Sequence, residues 1–179
     1  MSFFPNQEKP EIPKRENSEA KEVFAFFGLC MYNLQVFEQG CVNLAVGLQI
    51  RGLTKLTEKD FDNLFDKMSK KTLGQLISEV RNHVNISKQL EEEMNQLLQK
   101  RNYIAHEFFV RHDTNFMSSN GRVEMIEELR EITKNTQTVD NKVESITHSL
   151  WKKLGLTAEI VQKGLKKMRE EASRKDNKK

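Results

Sequence analysis

The spacing of apolar residues along the chain predicts long helices. From Ser18, a candidate N-cap, to about Arg51, apolar side chains recur three and four residues apart and cover more than one face. A helix of this kind is expected to lie at the centre of the fold, because each apolar face needs a packing partner. Its glycines, Gly28, Gly40 and Gly47, would allow a neighbouring helix to approach closely.

Capping residues predict the helices that follow. Thr57 and Asp60 match a capping box that opens a short second helix, and a third helix is expected over residues 72–83. Ser87 is a candidate N-cap for a fourth helix that runs to about His112.

The C-terminal half of the chain predicts two more helices. Asn120-Gly121 indicates a turn, and a long fifth helix follows, in which a break near residues 135–138 is left open. Thr157 would cap a last helix that ends after Met168.

Turn-forming residues are scarce, and all three prolines lie within the first 13 residues of the 179-residue chain. No segment alternates like a strand, so barrels and sandwiches are excluded. We expect an all-α fold, an up-and-down bundle of five to six helices. Residues 1–17 are expected to form a flexible N-terminal arm, residues 18–162 the helical domain and residues 163–179 a basic C-terminal tail.

Charge is unevenly distributed along the chain. The net charge is +3, but residues 163–179 contain eight cations against three acids, so the rest of the chain carries a net charge of −2. The helical domain is therefore not expected to be a general polyanion binder. Any contact with nucleic acid must be local or come from the tail, whose role the sequence leaves open.

Cysteine usage and hydropathy bear on the cellular compartment. Cys30 and Cys41 are eleven residues apart on the first predicted helix, about 16 Å along its axis, which is beyond the reach of a disulfide. Both are expected to be reduced, as in a cytoplasmic protein. The chain shows no signal peptide and no apolar run long enough to span a membrane, so no membrane partner is expected.

The fourth predicted helix carries the candidate chemistry. Ile104 and Phe108 belong to its apolar stripe, and Arg101 falls near the middle of that stripe. A guanidinium at such a position must pair with another group, or face a cavity or a second subunit. Asn102 and His106 are four residues apart and share a neighbouring face of the helix.

These three residue types suit the cleavage of a phosphodiester bond. Arginine binds phosphate oxygens through two N–H groups and stabilises the charge that develops on them. Histidine can transfer a proton to or from the 2′-hydroxyl or the leaving 5′-oxygen of RNA near neutral pH. Asparagine can hold a phosphate or orient the histidine. Arg101, Asn102 and His106 are therefore the candidate catalytic residues.

The segment Arg101-Asn102-x3-His106, set in an apolar helix, resembles the Arg-x4-His signature of HEPN domains, the helical domains of many toxin and antiphage ribonucleases. The resemblance implies a metal-independent endoribonuclease that leaves a 2′,3′-cyclic phosphate and a 5′-hydroxyl, with those three residues at its active site. It implies RNA as the substrate and a homodimer in which both motifs line one cleft. An antitoxin or defence-system protein would be a further partner, and no cofactor is implied.

Two features refine what the resemblance implies. In the toxin branch that pairs with a nucleotidyltransferase antitoxin, a tyrosine two residues after the histidine is the modified residue. This chain has Phe108 at that position, so this regulation does not carry over. Many family members also support the arginine with a polar residue from an earlier helix. Glu38, Glu79 and Asn82 are the candidates, and the sequence does not choose among them.

Other interpretations stay open. The same arginine and histidine could hold a nucleotide or RNA without turnover, or Arg101 could be a structural charge paired with a glutamate in a helical interaction module. A zinc site beginning at His106-Glu107 is not expected. Val110 stands where a second histidine would be needed, and His112 lies on the wrong face.

Overall fold

The computed structural model describes residues 9–51, 57–84 and 86–155, together with the single positions 166, 173 and 174. Within these ranges the regular structure is helical and no strand is present, which confirms the all-α class. The helices are α1 (Ala20–Ile50), α2 (Glu58–Ser69), α3 (Leu73–His83), α4 (Lys88–His106), α5 (Phe108–Arg111), α6 (Asp113–Met117) and α7 (Ser119–Lys153).

Two of the predicted N-caps are confirmed. Thr57 opens α2 with a capping box, and the Ser87 hydroxyl accepts a backbone N–H in the first turn of α4. Thr72, where the third helix was predicted to begin, is the N-cap of α3 and forms a capping box with Gln75. The prediction for α1 is wrong by one residue. Its cap position is Glu19 rather than Ser18, and the Glu19 side chain makes no capping hydrogen bond.

Helices α1 and α7 pack against each other along most of their length and run parallel. Residues with higher numbers in α1 contact residues with higher numbers in α7, which shows that the two helices point the same way. At the N-terminal ends the Ser18 carbonyl accepts a hydrogen bond from Arg122 Nε at 2.5 Å, and at the C-terminal ends Gly47 faces Trp151. Because these two helices are the longest elements, the rest of the described fold is arranged around them.

Glycine lets α1 and α7 approach closely at two points. A Cβ on Gly40 would lie 2.9 Å from Asp140 Oδ1, and a Cβ on Gly47 would lie 2.9 Å from a Leu150 methyl carbon. The predicted role of these two glycines is therefore confirmed. At Gly28 the prediction is wrong, because no described neighbouring atom lies within 4 Å of the position its Cβ would take.

Helix α4 runs antiparallel to α7 and contacts both α7 and α1. Glu93, near the start of α4, pairs with Lys142 at 2.6 Å, whereas Tyr103, near its end, contacts Glu128 at 3.3 Å. Helix α3 packs on α1 and α4, and α2 packs on α1. The described residues thus form a helical bundle built on α1, α4 and α7.

The buried apolar residues form two clusters, one toward each end of the α1–α7 pair. Cluster 1, at the C-terminal ends, includes Phe37, Leu44, Leu76, Met94, Leu97, Val143 and Trp151. Cluster 2, at the N-terminal ends, includes Val23, Phe26, Leu34, Ile104, Phe108, Met125 and Leu129. Polar side chains lie between the clusters along each of the three helices. We call this the polar layer: Asn33 and Glu38 on α1, Arg101 on α4, and Thr133 and Thr136 on α7.

Both cysteines are free and buried in α1, which agrees with the prediction that they do not bond to each other. Burial raises the pKa of the Cys30 thiol to about 11 and that of the Cys41 thiol well above its ordinary value. Neither thiol is therefore poised to react as a thiolate near neutral pH. None of the helices in the described ranges is long and apolar enough to cross a membrane.

The described part of the predicted N-terminal arm lies along α7. Lys9 Nζ is 2.7 Å from Asp140 Oδ2, and the Pro10 carbonyl accepts a hydrogen bond from Gln137 Nε2 at 3.0 Å. Burial raises the pKa of the Asp140 carboxyl, and the hydrogen bond from Lys9 opposes that rise. Residues 1–8 of the arm lie outside the described ranges.

The long C-terminal helix differs from its prediction at its start. Asn120-Gly121 does not form a turn before it, because α7 begins at Ser119 and the Ser118 hydroxyl caps it by accepting the Gly121 N–H at 3.0 Å. Helix α7 runs without a break through residues 135–138. The predicted helix from Thr157 and the basic tail lie outside the described residues, apart from the single positions named above.

The contact between α6 and α7 leads to a stability prediction. A Cβ at Gly121 would overlap the backbone of Asn115 in α6, so Gly121→Ala is expected to lower the free energy of unfolding by about 1–3 kcal/mol. The control is Gly28→Ala on the exposed face of α1, which is expected to raise it by up to about 1 kcal/mol, because alanine favours the helix. Urea unfolding followed by circular dichroism measures both, and equal effects would contradict the close contact.

Candidate functional site

Arg101 lies on α4 at the boundary between the two apolar clusters. Leu97 belongs to cluster 1 and Ile104 to cluster 2, so the predicted apolar stripe is confirmed on both sides of the arginine. The Arg101 side chain extends outward from this boundary and is 35% exposed. Arg101 therefore interrupts the apolar stripe, as the sequence predicted. Its guanidinium is half-buried, however, and is not fully enclosed by the protein.

One carboxylate of α1 reaches Arg101. Glu38 Oε2 lies 3.9 Å from Arg101 Nη2, and the Glu38 side chain is 26% exposed. The other two candidate supports do not reach the arginine. Glu79 pairs with Lys71, whose hydrogen bond lowers the pKa of the Glu79 carboxyl, and the Asn82 side chain forms no hydrogen bond with any residue in the described ranges. Glu38 is thus the residue that can orient the guanidinium.

Asn102 and His106 are exposed one helical turn apart on the same side of α4. Asn102 Oδ1 accepts a hydrogen bond from Arg101 Nη1 at 3.4 Å, so these two side chains are joined. The His106 ring forms no hydrogen bond or ion pair with the described part of the chain. Helix geometry separates it from Arg101 by about 140° around the axis and about 7.5 Å along it.

Helix α4 ends at His106, which corrects the predicted end at His112. The backbone of Glu107 (φ −124°, ψ −22°) leaves the helical region, and the short helix α5 begins at Phe108. The Phe108 ring is buried in cluster 2 with Ile104, so the apolar stripe continues past the break. His106 is therefore the last residue of α4, and a helix break follows it directly.

Sequence reasoning missed a polar cluster next to the site. Tyr103 Oη lies 3.1 Å from His112 Nε2 and 3.3 Å from Glu128 Oε2, and His112 Nε2 is 2.8 Å from the same Glu128 oxygen. We call these three residues the Tyr–His–Glu clamp. The only signal in the sequence is Tyr103 itself, a partly buried aromatic residue next to Ile104 on α4. Helical periodicity cannot connect it to a glutamate 25 residues away on another helix.

The hydrogen bonds of the clamp can be assigned from their partners. The Glu128 carboxylate accepts from the Tyr103 hydroxyl and from His112 Nε2–H, while Asn115 Nδ2 donates to His112 Nδ1 at 3.1 Å. Burial, followed by the negative charge of Glu128, raises the pKa of the Tyr103 hydroxyl to about 12. The phenol therefore stays protonated and keeps its role as a donor at neutral pH.

The end of α4 thus presents a guanidinium, an amide and an imidazole to solvent. Guanidinium and amide N–H groups are suited to bind the oxygens of a phosphate, and an imidazole is suited to move a proton beside it. No group of three or more histidine, cysteine, aspartate or glutamate side chains that could hold a metal ion occurs among the described residues.

The exposure of the Arg101–Glu38 pair predicts how much it stabilises the fold. Arg101→Ala is expected to lower the free energy of unfolding by less than about 1 kcal/mol, because both side chains are in contact with solvent. Leu97→Ala on the same helix is the control and should cost about 2–5 kcal/mol. Urea unfolding compares the two. A loss of about 3–5 kcal/mol for Arg101→Ala would instead identify a structural buried charge.

The clamp predicts the titration of Tyr103. Its hydroxyl is expected to ionise with a pKa near 12 rather than near its ordinary value of 10.0. Because the pKa is raised in the folded state, the stabilisation from the neutral phenol is complete below pH 10 and lost as the pH rises toward 12. Tyrosinate absorbance of the wild type and of Tyr103→Phe measures this ionisation. An ionisation near pH 12 that persists in Tyr103→Phe would contradict the assignment.

Comparison with known proteins adds no identification: no family model matches the chain, and no curated protein or solved structure matches it. Function must therefore follow from Arg101, Asn102 and His106 and from the residues that hold them.

Proposed function

We propose that this protein is a metal-independent endoribonuclease that acts through Arg101, Asn102 and His106. The observation that carries the proposal is the geometry at the end of α4. The Arg101 guanidinium is half-exposed, lies 3.9 Å from Glu38 and donates a hydrogen bond to the exposed Asn102 amide. The exposed His106 imidazole lies one turn further along α4 on the Asn102 side, and no described residue engages it in a hydrogen bond. The resemblance of this segment to the HEPN signature supports the same conclusion.

The proposed reaction is attack of an RNA 2′-hydroxyl on the adjacent phosphorus. The bond from the 2′-oxygen to phosphorus forms, and the bond from phosphorus to the 5′-oxygen breaks. The 2′-oxygen loses a proton and the leaving 5′-oxygen gains one. The products are a 2′,3′-cyclic phosphate and a 5′-hydroxyl, so neither water nor an external reactant is consumed in this step.

Each residue has a role in this scheme. Arg101 binds the non-bridging oxygens of the scissile phosphate and stabilises the charge that builds up on them. Its guanidinium has five N–H groups, so it can engage a phosphate while Nη1 donates to Asn102 and Nη2 lies 3.9 Å from Glu38. His106 transfers the proton, and Asn102 positions either the phosphate or the histidine.

The assembly and setting proposed here follow from the same resemblance. We propose that two copies of the chain pair so that both sets of Arg101 and His106 line one cleft. The protein would act on cytoplasmic RNA as a toxin or antiphage effector, held in check by an antitoxin or by another protein of the defence system. The helical bundle and the absence of a membrane-spanning helix among the described residues are compatible with this setting.

A second candidate function is binding of RNA or a nucleotide without turnover. One observation favours it: among the described residues no side chain orients His106 by a hydrogen bond, whereas a catalytic base is usually oriented by a third group. In that case Arg101, Asn102 and His106 form a binding surface, and substitutions there weaken binding without any cleavage to lose.

RNA cleavage in EDTA tests the proposal. The wild-type protein is expected to cleave single-stranded RNA into products with 2′,3′-cyclic phosphate ends. His106→Ala should lower the rate by about 10²–10⁴-fold and Arg101→Ala by about 10²–10³-fold, since the first removes proton transfer and the second removes charge stabilisation. Gel electrophoresis of end-labelled RNA, with enzymatic analysis of the new ends, measures both.

Matched residues elsewhere on the surface provide the controls. His148→Ala removes an exposed histidine of α7, and Arg81→Ala removes an arginine that also pairs with a glutamate, Glu91 at 3.3 Å. Both controls should cleave at the wild-type rate. Wild-type binding of RNA without cleavage, lost in His106→Ala, would favour the second candidate. Neither binding nor cleavage would reject both.

A further inference from the structure

The Tyr–His–Glu clamp joins three elements around His106. Tyr103 lies in the last turn of α4, His112 lies between α5 and α6, and Glu128 lies on α7. The contact between Tyr103 Oη and His112 Nε2 closes a chain segment whose ends are nine residues apart. His106 lies inside that segment, two residues before α5 begins at Phe108.

The short helices in this segment and just after it cannot hold themselves in place. Helices α5 and α6 are four and five residues long, far below the length at which an isolated helix is stable. The segment is held by the burial of Phe108 in cluster 2, by the ring contact of Phe109 with Phe27 of α1, and by the hydrogen bonds of the clamp.

His112 of the clamp is not suited to act as a catalytic base. Both nitrogens of its ring are engaged, Nε2 by Glu128 and Nδ1 by Asn115, and the side chain is only 13% exposed. The imidazole therefore has no free nitrogen to offer a substrate. The clamp instead connects the last turn of α4 to α7 and to the residue between α5 and α6.

We propose that Tyr103, His112 and Glu128 are positioning residues that hold the last turn of α4, and with it His106, in the geometry required for proton transfer. The inference rests on the proposed endoribonuclease function for its catalytic consequence. The Glu128 oxygen fixes the Tyr103 hydroxyl and the His112 ring on α7, so the turn after His106 cannot shift without breaking both hydrogen bonds. A supporting shell of this kind is what keeps a catalytic side chain in register with its substrate.

Tyr103→Phe is the sharpest test, because it deletes the hydroxyl and leaves the ring to pack against Phe108, whose centroid is 5.9 Å away. Tyr32→Phe, at the other tyrosine, exposed on α1, is the matched control. Two measurements are made on each variant, below its unfolding temperature. One is amide hydrogen exchange over residues 104–112, and the other is the single-turnover cleavage rate and the KM for a single-stranded RNA oligonucleotide of mixed sequence.

The expected result has two parts. In Tyr103→Phe, exchange over residues 104–112 speeds up by about tenfold while exchange in cluster 1 is unchanged, as expected when only one region opens. The cleavage rate falls by about 10–10²-fold and KM changes less than about twofold, because misplacement affects the chemical step more than binding. Tyr32→Phe changes neither the exchange over residues 104–112 nor the cleavage rate and KM.

The outcomes separate this proposal from the proposed function. Unchanged exchange over residues 104–112 in Tyr103→Phe would overturn the clamp, whether or not the wild type cleaves RNA. Faster exchange with an unchanged cleavage rate in an active protein would overturn the positioning role. An inactive wild type would reject the ribonuclease and, with it, the catalytic consequence of the clamp. If Tyr103→Phe does not fold, the same measurements are made on Glu128→Gln, with the same expected results. This substitution keeps the shape of the side chain and weakens the hydrogen bonds from Tyr103 and His112.

Discussion

The packing of α1 against α7 is the constraint on which the rest of this structure depends. Two helices of 31 and 35 residues run parallel, and Gly40 and Gly47 bring their backbones close enough for Asp140, Leu150 and Trp151 to pack directly on α1. Every other helix contacts one or both of this pair along part of its length, and even the short α5 packs its phenylalanine rings against Phe27 of α1. Helix α4 in particular is positioned because it packs against both.

The candidate site arises where the apolar packing of α4 is interrupted. Cluster 1 ends on α4 at Leu97 and cluster 2 resumes at Ile104, and the polar layer between them holds Arg101 near Glu38. At this level α7 presents Thr133 and Thr136, whose hydroxyls bond to their own helix rather than to Arg101. The guanidinium therefore turns outward, toward solvent, Glu38 and Asn102. The Arg101 charge, which the apolar face of α4 cannot accommodate, is therefore exposed to solvent.

Capping and periodicity were sufficient to predict most of the helices, because both act over one or two turns of a single chain segment. The caps at Thr57 and Ser87 were found for this reason. The end of α4 was not, because residues 107–112 have a helical pattern of their own. The break at Glu107 accompanies contacts with α7, such as that of His112 with Glu128, which no local pattern can predict. The start of α7 was missed because Gly121 does not form a turn. Its missing side chain instead allows the backbone of α6 to approach α7 closely.

The sequence by itself determined the all-α class, most helix positions, and the identity of Arg101, Asn102 and His106 as unusual residues on one helix. Only the tertiary structure decided which acid supports the arginine, how exposed each of the three residues is, and that Tyr103, His112 and Glu128 meet beside them. The physical reason is the range of the forces involved. Helix propensity, capping and amphipathic spacing are local, whereas Glu38 is 63 residues from Arg101 and Glu128 is 25 residues from Tyr103, so their contacts exist only after the helices have packed.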